Sequence, residues 1–226
     1  MNRALAASWL LLALHVPLAA QAPPQAPPEA PRAAIAAGMG VEYIAASDVT
    51  DLVNVTALPS ARAPQFRAAV EFFGSCAFPL AGRWMLKLEL AYDLSSYTVD
   101  GAFGPASWNM HWTMPSLILQ YVLVDRGVYN VRVGAGGGYH LGALAEKYLS
   151  LDDTFTAGGP GALAELEANT AFGDHLYAFL GANIRWEFVG ALRDAGGSSP
   201  GIASGGAGAT LHAFGAGARL GACYMF

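Results

Sequence analysis

Twelve charged residues fall on one side of an alternating pattern in this sequence: Glu42, Arg67, Glu71, Lys87, Glu89, Asp93, Arg132, Glu165, Glu167, Arg185, Glu187 and Arg219. Seven are carboxylates and five are basic. Two chemistries follow if they share an interior. Opposite charges in a narrow space pair, hydrogen-bond and fill it. The same lining would serve a gated path for protons or small ions.

Nucleophilic catalysis needs a histidine beside a serine or a carboxylate. His140 falls on the charged side, close in level to Asp93, and His212 lies near the start of the last apolar run, but no serine stands beside either in a recognisable sequence pattern. No enzyme is expected. His111, His140, His175 and His212 are scattered without a Cys/His cluster, so no metal site is expected. The glycines open no helix, which removes a phosphate-cradling loop, and no cofactor is expected. Cys76 and Cys223 belong to strands separated by a third, about 10 Å apart, beyond the roughly 7 Å reach of a disulfide.

These residues need elements to hold them. Of 226 residues, 54% are hydrophobic and 13% charged, with mean hydropathy +0.35 and net charge −5. A chain this acidic carries no footprint for nucleic acid. Arg3 and the apolar run Ala4 to Leu18 read as a secretory signal over residues 1–22, cut after Ala20 or Ala22. Residues 23–33, rich in Pro and Ala, read as an extended spacer. Past the signal no run reaches the ~18 apolar residues of a spanning helix.

From Ala34 to Phe226 the period is two. Trp84, Leu86, Leu88, Leu90 and Tyr92 oppose Met85, Lys87, Glu89, Ala91 and Asp93; Leu176, Ala178, Leu180, Ala182, Ile184, Trp186 and Phe188 oppose Tyr177, Phe179, Asn183, Arg185 and Glu187. Eight such runs are joined alternately by tight turns, near Pro79–Gly82, Asp125–Gly127 and Gly173–Asp174, and by long stretches at 47–63, 95–107, 144–161 and 193–208. The expected fold is all-β: an eight-stranded antiparallel transmembrane barrel with short periplasmic turns and long extracellular loops over residues 34–226. A soluble barrel would turn its apolar face inward. Here the charged face is too rich for a dry core and the opposite face too apolar for water. Aromatics cluster at both strand ends as two girdles, Phe78, Trp84, Tyr121, Tyr129, Tyr224 and Phe226 below and Tyr43, Phe66, Tyr92, Tyr139, Trp186 and Phe188 above.

Recognition is expected in the long loops. Tyr97, Phe103, Trp108 and Trp112 would offer exposed aromatic area in the second; Lys147, Tyr148, Leu149 and Leu151 stand beside the acidic pair Asp152 and Asp153 in the third. That pair would also suit a divalent cation weakly.

The stretch Phe72 to Tyr92 (FFGSCAFPLAGRWMLKLELAY) resembles the second hairpin of the outer-membrane β-barrel domain family, the porin-like group of small OmpX or opacity type. Met114 to Tyr139, with MPSLILQY before a tight turn and VGAGGGY after it, is similar to the same family. The ending Leu220 to Phe226, with Tyr224 and Phe226 at alternate positions, looks like the terminal signal read by the barrel-assembly machinery. The resemblance implies export to the bacterial outer membrane. The partners expected there are membrane lipid, lipopolysaccharide, the assembly machinery and a surface or periplasmic protein. A non-enzymatic structural or surface-interaction role is expected; the alternatives are a passage for small hydrophobic or ionic solutes and, less favoured, a lipid A-modifying enzyme.

Overall fold

The computed structural model describes residues 31–64, 66–101, 104–148, 151–200 and 209–226. The signal segment lies outside them, as does most of the spacer. The elements in chain order are β1 (Ala34–Ala45), α1 (Ser47–Thr56), a 3-10 turn (Pro59–Ala61), β2 (Phe66–Pro79), β3 (Trp84–Gly101), β4 (Gly104–Asp125), β5 (Tyr129–Tyr148), β6 (Leu151–Ala171), β7 (Leu176–Ala191) and β8 (Thr210–Met225). Each strand pairs antiparallel with the next, and β1 pairs with β8, closing a barrel of eight. Closure leaves no unpaired edge, which is what permits strands to cross lipid. Tight turns join β2 to β3, β4 to β5 and β6 to β7; Gly82 (φ 58°) and Gly127 (φ 71°) take the left-handed conformations two of them need.

The strands are longer than a bilayer requires, and their pattern inverts along their length. On β3 the outward side chains run Trp84, Leu86, Leu88, Leu90, Tyr92 and Leu94, then change to Ser96, Thr98 and Asp100. The inward ones run Met85, Lys87, Glu89, Ala91 and Asp93, then change to the buried Tyr97 and Val99. β4 mirrors this: Leu123, Tyr121, Leu119, Leu117 and Pro115 give way outside to Thr113, His111, Asn109 and Ser107, while Gln120 and Ser116 give way inside to Met114, Trp112, Met110 and Trp108. Apolar-out with polar-in is the pattern of a strand in lipid. Polar-out with apolar-in is that of a strand in water. The switch near Leu94 and Pro115 therefore marks the outer membrane boundary.

The inversion corrects the expectation for two of the long loops. Residues 95–107 and 144–161 are not loops but extended hairpins, with β3 and β4 continuing to Gly101 and Gly104 and β5 and β6 to Tyr148 and Leu151. Above the boundary they enclose an apolar core of Tyr97, Val99, Trp108, Met110, Trp112, Leu144, Phe155, Val189, Leu192 and Leu211. Tyr97 and Trp108 are fully buried there and are not exposed contact aromatics, because the alternation that carried them simply continues past the bilayer. The core is capped by α1. Val49, Leu52 and Val53, spaced for one helix face, are buried against it.

Candidate functional site

Below the apolar core, the membrane segment of the lumen is filled by charge. Lys87, inward on β3, places Nζ 2.9 Å from Glu89 and 2.9 Å from Glu165, and it also meets Glu167. Gln120 donates to the other oxygen of Glu165 at 2.8 Å. From β8, Arg219 donates through Nη1 to Glu89 and through Nη2 to Glu71, each at 2.9 Å. Arg185, from β7, donates to Glu89 at 2.9 Å and lies 3.4 Å from Glu71. Glu89 thus receives three cations from three strands. The Arg219 guanidinium also lies over Phe73, 5.0 Å from the ring centroid, and Phe73 packs on Phe179 at 5.1 Å. Deep burial makes each pair depend on the others, since any charge left alone there is costly.

Two members expected in this network sit elsewhere. Arg67 is at the upper rim, half-buried, donating to the Ser96 carbonyl at 2.7 Å and lying over Tyr97, 4.9 Å from its centroid. β2 enters the barrel there, and the residue stands above the boundary. Arg132 sits at the floor, 3.8 Å from the Met225 sulfur. Glu42 and Asp93 form a buried acidic group with Glu71, their oxygens within 4.8 Å of one another. Glu71 already faces Arg185 and Arg219, so part of that charge is balanced by the protein itself. A void of about 10 Å3 lies among Glu42, Asp93, Arg185 and Glu187, room for at most one water.

At the top of the charged zone the barrel brings together three residues that the sequence did not join. The Ser116 hydroxyl on β4 lies 3.1 Å from His140 Nε2 on β5, and His140 Nδ1 lies 2.5 Å from the Glu187 carboxylate on β7. The last contact passes over β6 because position 161 is glycine. A Cβ there would lie 2.1 Å from His140 Nδ1 and 2.4 Å from Glu187. A hydroxyl, an imidazole and a carboxylate in this order form the geometry of a nucleophile, its base and the group that orients the base. His140 follows the girdle residue Tyr139, and Glu187 stands between Trp186 and Phe188, so the triple is level with the outer aromatic girdle.

Outside the wall next to Ser116 runs a groove of about 520 Å3 across β2 to β5. Gly74, Cys76, Pro115 and Gly137 form its low floor among Leu88, Leu90, Leu117 and Tyr139, and Ser116 contributes to its lining. Pairing of β4 with β5 skips from Thr113↔Leu141 to Leu117↔Gly137 beside it, where Pro115 has no N–H to give.

The remaining candidates are placed as follows. Lys147 pairs with Asp152 at 3.4 Å across the exposed β5–β6 hairpin, and Asp153 is exposed beside Glu146. Burial pushes the Glu146 carboxyl up, and the neighbouring Asp153 charge adds to it. Phe103 and the side chain of Tyr148 lie outside the described residues. Tyr224 and Phe226 pack edge-on at 5.1 Å on the outer surface of β8, and the Phe226 N–H donates to the Ala33 carbonyl at 3.0 Å. The girdles are exposed: Phe78, Trp84 and Tyr129 below, Tyr43, Tyr92, Tyr139, Trp186 and Phe188 above. Cys76 and Cys223 are both free.

The architecture and its two-solvent exterior define a class: an eight-stranded transmembrane β-barrel of the outer-membrane type. No protein-family model and no curated protein matches the chain by sequence. Two solved structures share the fold. Neisserial surface protein A is 8% identical with a TM-score of 0.53, the match covering 86% of this chain and 97% of that one. Ail, the attachment invasion locus protein of Yersinia pestis, is 9% identical with a TM-score of 0.53, covering 88% and 100%. At such identities the likeness is one of fold, in agreement with the resemblance read from the sequence.

Proposed function

We propose that this protein is an outer-membrane barrel that passes no solute and acts at the cell surface, presenting its β3–β4 and β5–β6 hairpins above the bilayer. The observation that carries this reading is the double seal of the lumen. The ion-pair network closes the membrane segment, and the apolar core under α1 closes the segment above it. A solute would have to displace both. The hairpins stand clear of the membrane on a rigid base, and the exposed Lys147, Asp152 and Asp153 give the β5–β6 tip a mixed charge suited to a polar surface partner, an extracellular protein or lipopolysaccharide. Among the described residues the periplasmic side offers a partner short turns. Reading Tyr224 and Phe226 as the assembly signal is supported by their exposed place on the closing strand.

Planar-bilayer recording tests the seal. The folded protein is expected to give no reproducible conductance steps; large steps from the wild type would overturn the reading in favour of a passage. Deleting residues 146–153 and measuring adhesion of whole cells tests the surface role, and unchanged adhesion with each hairpin shortened in turn would remove it.

A further inference from the structure

We infer that the upper end of the charged lumen is a calcium site, in which Glu42, Glu71 and Asp93 hold one ion with Glu187 at its side, trapped there when the barrel closes. Grouped carboxylates alone would not make a site; what faces them does. The three come from β1, β2 and β3, and their oxygens lie within 4.8 Å of one another. Oxygens that close can share an ion at the roughly 2.3 to 2.6 Å of a calcium–oxygen bond after small side-chain shifts. A fourth carboxylate arrives from the opposite wall. Glu187, on β7, gives Oε2 to His140 and lines the same cavity as Glu42 and Asp93. Among the described residues its buried Oε1 meets no donor, and neither do Glu42 Oε2 and Asp93 Oδ1. Buried oxygens without donors are costly, and one cation satisfies all three.

The charge balance agrees. Among the described residues the lumen buries seven carboxylates against four cations, Lys87, Arg132, Arg185 and Arg219. Even with His140 protonated beside Glu187 two negative charges are left over, the charge of one divalent ion. Arg185 also lines the cavity, but its guanidinium is committed to Glu89 at 2.9 Å and to Glu71 at 3.4 Å. Glu42 and Asp93 hydrogen-bond to each other, which takes a proton between them; a bound ion displaces that proton to solvent. Carboxylate donors select a hard cation over zinc or copper. Magnesium keeps several waters at about 2.1 Å, and a cavity of about 10 Å3 has no place for them. Calcium accepts an irregular set of carboxylates.

Gly215 makes the room. A Cβ there would lie 2.2 Å from Glu42 Oε1, so a side chain at that position of β8 would push the carboxylate out of its place. The finished barrel offers an ion no path, since ion pairs close the lumen below and the apolar core under α1 closes it above. The ligands, however, flank the seam that shuts the ring: Glu42 is on β1, which pairs with β8, and Glu187 is on β7, beyond β8. The ion enters while that seam is open and stays when it shuts. It is a resident of the fold and not a solute in passage.

The test unfolds the full mature barrel in urea and refolds it in zwitterionic detergent with calcium chloride or with EGTA, heat-dependent gel mobility reporting the folded state. Each sample is then washed in EGTA and its calcium measured by plasma mass spectrometry. Wild type refolded with calcium is expected to keep about one ion per barrel through the wash. Barrel refolded in EGTA and given calcium only afterwards should hold about tenfold less, because the closed ring opens slowly. Glu42→Gln combined with Asp93→Asn, which lowers the buried charge and keeps the shapes, should lose the ion, and so should Gly215→Ala, which alters no charge. Asp100→Asn on the polar exterior of β3 should keep it. Wild type should unfold more slowly in urea with calcium than without, whereas the Glu42→Gln, Asp93→Asn barrel should unfold alike in both. Folded wild type without calcium, the result expected if the carboxylates hold protons alone, would overturn the proposal. So would an ion that survives the Glu42 and Asp93 changes, or one that EGTA strips from the closed barrel within minutes. Conductance is recorded apart from calcium, so the seal and the ion can fail separately.

Discussion

Asp48, in the first turn of α1, accepts hydrogen bonds from both the hydroxyl and the backbone N–H of Thr210, the first residue of β8, the N–H at 3.3 Å. A carboxylate at a helix N-terminus is favourable in itself, and here it also ties the cap to the barrel. Asp48→Ala is expected to loosen α1 by about 1 to 2 kcal/mol, the scale of a hydrogen bond to a charged group. Hydrogen exchange should quicken in α1 amides alone, with the strand amides unchanged.

The membrane boundary predicts a sharp difference between two positions on one face of one strand. Leu88 and Thr98 both point outward on β3. Leu88→Arg should cost about 2 to 4 kcal/mol in urea titrations of the lipid-inserted protein. Thr98→Arg should stay within about 0.5 kcal/mol. Equal costs would contradict the switch of solvent between them.

Among the arginines, position decides the penalty. Arg219→Met strips Glu71 and Glu89 of a shared cation and should destabilise by about 3 to 5 kcal/mol. Arg67→Met at the rim gives up only a half-exposed contact with Tyr97 and one carbonyl bond, so about 1 kcal/mol is expected. The same urea titration compares them.

Glu146 gives the β5–β6 hairpin a pH dependence. Its carboxyl is raised from the ordinary 4.5 by burial and then by Asp153. Below that value it is protonated whether the hairpin is open or closed, and it costs nothing. Above about 4.5 the open form ionises while the closed form still holds its proton, so the hairpin weakens as pH rises from there until the closed form has ionised too. Proteolysis at the tip should quicken over that range, and Glu146→Gln should flatten the change.

Which side of each strand faces lipid was legible because a period of two needs no knowledge of neighbours. Lys87, Glu89, Arg185 and Arg219 were assigned to the interior from alternation alone, and they meet there. Height was not legible. Ser116, His140 and Glu187 all fell on the inward side, yet their meeting depends on the register of three strand pairs and on the missing Cβ of Gly161. Counting from the turn, where Asp125 faces Asn130, sets Ser116 opposite the outward Tyr139; only the bulge between Val122 and Val124 moves it to Gly138, one inward step below His140. Tyr97 and Trp108 depart from the loop expectation for another reason: the barrel continues past the point where lipid ends. Their alternation with Ser96, Thr98 and Asn109 was in the sequence, with opposite sign, and so was the i, i+3, i+4 spacing of Val49, Leu52 and Val53.

The helix that caps the barrel is encoded between the first two strands, yet it rests on β3 and on β8, the last to be made. It has no seat until β8 has arrived and the ring has shut against β1. A molecule arrested with seven strands in place would leave the apolar flank of α1, Val49, Leu52 and Val53, without its seat on β8. Unfinished copies are thereby tagged with an adhesive patch that finished ones hide. The docking of the ten residues of α1 thus reports that β8 is in place against β1.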